Sequence, residues 1–595
     1  MKRKPSKEIR NVRNLSVKKA AAVGIGLAVL GVGTAYTQFG RGGGSDWTTA
    51  QMNAQRTAWI KTDTYISREN MEKGGFKFQW KWKVDNQPRQ LHSIISAVTA
   101  SSGIGRTISI LSLTSNAFAA ADDDTGNLYW TRHIDAAIPS GGTLNCPGGL
   151  TAGASRPSEL VLPALAAARG FGNRGPYTSG VGEPGEGVPS WIMEGGMFGP
   201  GGAARGANPA RGGPAGPGGP GGADAAARGR GAGAGRGPGG FGFVRPPETF
   251  FAVGSDGVLH SFGQNTGKDL EKPVPFLPAN ANISDLIAVP ETVNGVSTDI
   301  IYAATMNGCG GVPNRVWALD LAPEDKPVTH FDTGASPVGP PALSADGTLY
   351  VAIGSGPAGS GYSHSVVALE PKTLQLKDWF TDSKADFSST PMIFKSGDKE
   401  IVAAATIDGR IYLLDANSLG GADHNTPLYV STAFSIAKSD YAPAALASWQ
   451  DADTTWILEP FAGKTADVTN GGVVALKVVD ESGKLSLAQG WVSPDMISPV
   501  PPIVVNGIVF AASSGEFHPP GESAMSAAER AKRSVPAVLY ALDATTGKQL
   551  WSSGKTVASF IADTGLWATA GQAYVATFDN TVYAFGFAMD RDLTP

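Results

Sequence analysis

Residues 538–551 read VLYALDATTGKQLW, and this stretch decides the fold. Val538, Tyr540 and Leu542 alternate with Leu539 and Ala541, which is the two-residue period of a β-strand. Asp543 ends that strand, and Thr546-Gly547 makes a turn. Glycine accepts a positive φ at no steric cost, and an Asp or Thr just before it can hydrogen-bond the turn backbone. The next strand carries Trp551, a large apolar plate suited to packing one sheet on its neighbour. The theme recurs at 117–130 (AFAAADDDTGNLYW, with Asp124, Gly126 and Trp130) and at 258–270 (VLHSFGQNTGKDL). Weaker copies are RVWALDL at 315–321, SVVALEPKTLQLKDW at 365–379, RIYLLDANSL at 410–419 and GVVALKVVDESGKL at 472–485.

Working outward, the turn anchors Asn265, Asp320, Glu370, Asp415, Asp480 and Asp543 lie 55, 50, 45, 65 and 63 residues apart. That period suits one four-stranded antiparallel sheet per copy, and a series of such sheets predicts an all-β propeller. The copies count to eight blades, with seven as the alternative. Seven blades hold their strands in chain order. The eighth is shared: Gln572–Phe578 and Thr581–Phe587 lack a Trp-bearing outer strand, and Phe76–Val84 (FKFQWKWKV) is such a strand without predecessors. Pairing the two termini closes the ring and removes exposed sheet edges.

The pattern Ala-Leu-Asp-Ala-x-Thr-Gly-Lys-x-x-Trp at 541–551 resembles the repeat of the pyrroloquinoline quinone (PQQ) propellers. That superfamily holds PQQ-dependent alcohol dehydrogenases and the propeller lipoprotein of the outer-membrane barrel-assembly machinery. The resemblance spans roughly residues 46–587 and concerns the fold, because enzymes and non-enzymes share the repeat. In the dehydrogenases it implies PQQ bound with Ca²⁺ at the propeller mouth. The adjacent Cys-Cys pair of those enzymes is absent here.

Composition narrows the function. The net charge is −4, yet residues 1–19 carry eight basic residues and one acid, so the rest of the chain is acidic. An acidic body does not suit nucleic acid, whose phosphates demand Lys and Arg. The basic start precedes an apolar run from Ala20 to Tyr36, the pattern of a secretory signal, with Gly33-Thr34-Ala35 offering small residues for cleavage. Residues 1–35 are therefore expected to be a signal peptide or an uncleaved anchor, 36–45 a linker, and 46–589 the propeller. A periplasmic or secreted protein follows, touching membrane only through an uncleaved N-terminus. Cys146 and Cys309 are the two cysteines. In an oxidising compartment they can form one disulfide, and otherwise they are two buried thiols. No CxxC or CxxCH occurs.

Residues 195–240 hold 20 Gly in 46 positions and five Arg against Asp224. Such sequence cannot bury enough apolar surface to offset its ordering entropy. The expectation is one strand around Cys146 (LNCPGGLTAGAS), a long disordered insertion over 157–248, and a return to the sheet at FFAVGSD, 250–256.

Propeller ligands bind where the loops entering the innermost strands converge. The strand reading places His92, Asp285, Ser336, Ser389, Asp440, Tyr441, Ser498 and Asp563 there. The loops between second and third strands add Asn307, Cys309, Tyr362, His364, Glu459, Glu516 and His518. Cys146 and Cys309 fall on adjacent blades near this face. A PQQ–calcium site needs oxygen ligands and a cation for the quinone carboxylates. Asp440, Asn307, Glu459 and Glu516 are the candidate oxygens, and Arg315, Arg410 and Lys464 the candidate cations. Two readings follow. One is an exported binding or interaction scaffold whose partners are envelope proteins or a small ligand. The alternative is a PQQ-dependent alcohol or sugar dehydrogenase using PQQ and Ca²⁺ at the same mouth.

Overall fold

The computed structural model describes residues 46–101, 107–158, 160, 249–293, 296–357, 359–434, 439–451, 454–521, 525–562, 565–569 and 571–588. The residues expected to form the signal or anchor and the linker, nearly all of those expected to form the insertion, and Asp563 lie outside the described residues.

Eight antiparallel sheets form the eight blades. Blade 1 is Ile94–Ser101, Thr107–Leu113, Ala117–Asp122 and Leu128–His133. Blade 2 has Thr249–Val253, Val258–Gly263 and Val274–Pro275. The strand expected around Cys146 does not form; it shrinks to an isolated bridge between Ser155 and Phe251. The segment is built of Gly, Pro and small residues, which pack poorly on a pleated surface. Blade 3 is Ile283–Val293, Val296–Thr305, Arg315–Asp320 and Val328–Asp332, and blade 4 is Ala342–Leu343, Leu349–Ile353, Ser365–Leu369 and Leu376–Thr381. Blade 5 is Met392–Ser396, Lys399–Ala405, Ile411–Asp415 and Tyr429–Val430. Blade 6 is Ala447–Gln450, Thr455–Ala462, Gly471–Glu481 and Lys484–Val492. Blade 7 is Ile503–Val505, Ile508–Ser513, Val538–Asp543 and Gln549–Ser552.

Blade 8 closes the ring as the sequence suggests. Leu566–Thr569, Gln572–Ala576 and Thr581–Phe587 take Phe76–Lys83 as their outermost strand. The register runs from Phe76 opposite Phe587 to Lys83 opposite Thr581, with one shift between Phe78 and Trp80.

The repeat has a specific chemistry. Asp543 Oδ1 accepts from the Thr546 backbone N–H at 2.9 Å and from its hydroxyl at 2.6 Å. Asp122 does the same for Thr125 at 2.8 and 2.9 Å. The glycine that follows the threonine in each repeat has a positive φ, +70° at Gly547 and +71° at Gly126. The freed space is filled by the tryptophan of the preceding blade. A Cβ on Gly547 would fall 2.7 Å from the Trp491 ring, and one on Gly126 2.7 Å from Trp80. Each indole also donates to the turn it covers: Trp491 to the Ala544 carbonyl at 2.9 Å, Trp130 to Gln264 at 3.0 Å and Trp80 to Asp123 at 3.0 Å. At these three seams the indole of one blade sits on the turn of the next, and Trp80 makes the seam between blades 8 and 1.

One element has no counterpart in the repeat. Residues 47–60 form a buried strap against the innermost strands. Trp47 meets Thr99 of blade 1, and Thr49 Oγ1 donates to the Leu286 carbonyl of blade 3 at 2.6 Å. Trp59–Ile60 then run parallel to Ile503–Val505 of blade 7. The strap thus crosses the innermost strands of several blades.

Candidate functional site

At the mouth, Cys146 and Cys309 are joined by a disulfide with a Cα–Cα distance of 5.5 Å. Cys146 lies in the loop entering blade 2, and Cys309 in the turn between the second and third strands of blade 3. Beside the bridge, Asn307 Nδ2 donates to the Asn145 carbonyl at 3.1 Å, and its backbone N–H donates to Ser336 Oγ at 3.0 Å. Farther round the rim, Leu91, Phe560 and Ala562 form an apolar cluster onto which Leu144, Ala527, Ala531 and Phe578 pack. These residues come from mouth loops of blades 8, 1, 2 and 7, so the loops over that side lean on one another as a roof.

The most developed polar cluster joins blades 6 and 7. Asp440 and Glu516 are drawn together by Arg530, which donates to Asp440 Oδ2 and to Glu516 Oε1, the latter at 3.2 Å. His518 Nδ1 lies 2.7 Å from Asp440 Oδ1, and its Nε2 faces Glu516 Oε2 at 3.8 Å. Burial pushes the Asp440 carboxyl up, but His518 and Arg530 outweigh it and hold it below the ordinary range. The Tyr441 ring packs edge-on to His518, and its hydroxyl donates to the Pro499 carbonyl at 2.8 Å. Ser498 Oγ donates to the Glu516 carbonyl at 3.0 Å.

Arg530 escaped the candidate residues drawn from the sequence. It sits on the helix Ala527–Arg533, inside the long connection of blade 7. Ser526 caps this helix by accepting from the Glu529 backbone N–H. The Ser-x-x-Glu spacing at 526–529 is a capping-box signature and is the signal that marks the helix. A helix there turns Arg530 inward while Lys532 and Arg533 stay exposed.

The other candidates do not join this cluster. Glu459 is fully buried in the second strand of blade 6, and neither carboxyl oxygen has a hydrogen-bond partner. Burial, with Asp408 adding to it, pushes this carboxyl well above its usual range, so it is neutral. Arg315 pairs with Asp332 at 2.5 Å on the outer half of blade 3. Arg410 pairs with Asp408 at 2.8 Å, and Lys464 is exposed on the rim. His92 Nε2 lies 3.5 Å from the Leu144 carbonyl, and His364 Nδ1 lies 3.2 Å from the Ala385 carbonyl. Tyr362 packs against Phe331 and Trp379, and Ser389 Oγ accepts from the Ala405 N–H at 2.7 Å. Asp285 lies deeper, against the strap; burial pushes it up to about 6, opposed by Arg56 and backbone N–H groups.

A PQQ–calcium cage needs free carboxylate oxygens converging on one point, with a cation nearby. Here Asp440 and Glu516 already hold Arg530, Glu459 is protonated elsewhere, and Arg315 faces Asp332. Among the described residues no group of three His, Cys, Asp or Glu is placed to hold a metal ion. The residues named for the cage do not fit it.

No protein-family model and no curated protein matches the chain. Solved structures do resemble it. A quinohaemoprotein alcohol dehydrogenase from Comamonas testosteroni shares 13% identity over 92% of this chain and 82% of its own, with a TM-score of 0.49. A europium-containing methanol dehydrogenase shares 11% identity over 91% and 98%, also with a TM-score of 0.49. BamB from Moraxella catarrhalis shares 12% identity over 86% and 98%, with a TM-score of 0.40. At such identities and scores the likeness says nothing of activity. What the strands themselves establish is an eight-bladed β-propeller.

Proposed function

We propose that this chain is a binding scaffold that works outside the cytoplasm, in the periplasm or secreted, with envelope proteins or a small ligand as its partners. The mouth carries the reading. Its carboxylates are engaged with Arg530 and His518, and its loops lean together over an apolar cluster. Such a rim presents a surface and does not leave an oxygen cage. Export is supported by the basic-then-apolar start of the chain and by a disulfide spanning 163 residues, a bond that persists in oxidising compartments.

The test is addition of PQQ and Ca²⁺ to the purified protein. The expected result is no bound-quinone absorption and no dye-linked alcohol oxidation. Stoichiometric quinone uptake with turnover would replace the scaffold by the PQQ-dependent dehydrogenase.

A further inference from the structure

The strap is an unusual connecting segment. Connecting segments normally run over the surface, where water satisfies their backbone. This one is buried throughout Met52–Ile60 without regular secondary structure before Trp59. Its backbone groups are satisfied by the blades. The carbonyl of Ala54 accepts from the Leu343 N–H of blade 4 at 2.8 Å, and that of Gln55 from Ile393 of blade 5 at 2.9 Å. Thr57 accepts from Ser448 of blade 6 at 3.0 Å, and Ala58 from Val504 of blade 7 at 2.9 Å. Four consecutive blades thus present one backbone donor each to a single peptide.

Two further features show that the fit is not optimised for permanence. Gln51, Met52, Arg56 and Ala58 all hold a positive φ, of 49°, 78°, 62° and 52°. None is glycine, so each is strained. Arg56 is wholly buried: its Nε donates to the Pro341 carbonyl at 3.0 Å and its Nη1 to Ala50 at 2.7 Å, but its Nη2 has no partner. Gln55 Oε1 is likewise buried and unpartnered. Burial lowers the Arg56 guanidinium to about 10, with Asp285 opposing the shift.

We propose that residues 47–60 are an intramolecular occupant of a peptide-binding site on the innermost strands of blades 4 to 7, displaceable by an extended polypeptide that supplies carbonyls to Leu343, Ile393, Ser448 and Val504. The ligand class is an extended peptide, because the site offers backbone donors in series and not a shaped pocket. The strap leaves as a unit, and its departure frees four amides on four different blades at once. The partner's identity rests on the scaffold reading above; the strap's own motion does not.

Hydrogen exchange on the full chain tests the motion. The amides of Leu343, Ile393, Ser448 and Val504 are expected to exchange at one shared rate. That rate should exceed those of the second-strand amides Val351, Ala403, Ile457 and Phe510. Ala58→Gly, which removes one strained φ and only a methyl group, should slow the shared rate severalfold. Four separate rates, each tracking its own blade, would overturn the proposal. Displacement is read on the full chain cut at a protease site inserted after Lys61, with a fluorescein-labelled peptide of residues 46–60 as probe. Rising anisotropy is expected; anisotropy fixed at the free-peptide value, with the sheet signal in circular dichroism retained, would contradict it. Failure of the shared exchange rate leaves the scaffold reading standing. Quinone turnover would remove that reading and leave the strap result intact.

Discussion

At the residue scale, the fold rests on a few positions where two blades meet. Gly547 is one. Its φ of +70° and the Trp491 ring 2.7 Å from any added Cβ make it irreplaceable. Gly547→Ala should cost about 2–4 kcal/mol, from left-handed strain and from displacement of the indole. Urea unfolding would show it as a lowered midpoint. Glu459 sets a pH dependence of the opposite kind from a surface carboxylate. Its folded form holds a proton that the unfolded chain releases above about pH 4.3. Stability is therefore lost as pH rises above that value. Glu459→Gln should lack this slope and unfold later than the parent at pH 8. Equal pH slopes for the two proteins would show that Glu459 is ionised in the fold. The turn residues Asp543, Thr546 and Gly547 were legible in the sequence because their roles are local. Glu459 was legible only as an acid near the mouth: that a neutral carboxyl sits alone inside blade 6 depends on neighbours brought in from other strands.

At the element scale, the blades read well and the connections badly. Alternation in VLYALD or RIYLLD marks a strand whatever surrounds it, whereas LNCPGGLTAGAS has Cys and Leu at strand-like intervals but too little side chain to hold a ladder. Only Ser155 pairs. The strap was invisible for a related reason: DWTTAQMNAQRTAWI has neither a two-residue nor a 3.6-residue period, and its burial comes from contacts with blades distant in sequence. Even the Trp rule held only in part. Trp130 and Trp491 seat on the next turn, while Trp379 stacks on His424 with ring centroids 3.6 Å apart and Trp551 packs on Phe76 and Phe585. The disulfide is one connection with a direct effect on stability. Closing a loop of this length restricts the unfolded chain by roughly 3–5 kcal/mol. Cys146→Ser should therefore lower the melting temperature clearly under non-reducing conditions, and a reductant should lower the parent to the same value. A parent unaffected by reductant would mean that the bridge contributes nothing to the fold.

At the scale of the whole molecule, the account depends on a ring whose last blade borrows a strand from the N-terminal side. That arrangement couples the two ends of the chain: blade 8 is incomplete until Thr581–Phe587 has been made, and Trp80 then seats on Gly126 to complete the seam with blade 1. The register puts Lys83 opposite Thr581, two positions nearly 500 residues apart in sequence. The most direct measurement is therefore a cross-link between them. In a Cys146→Ser, Cys309→Ser background, Lys83→Cys with Thr581→Cys should form a disulfide on mild oxidation of the folded protein, and moving either cysteine by one residue should abolish it by turning the side chain to the other face. A folded, sheet-rich protein in which the pair stays reduced, or in which the shifted pair bonds equally well, would contradict a ring closed in this register.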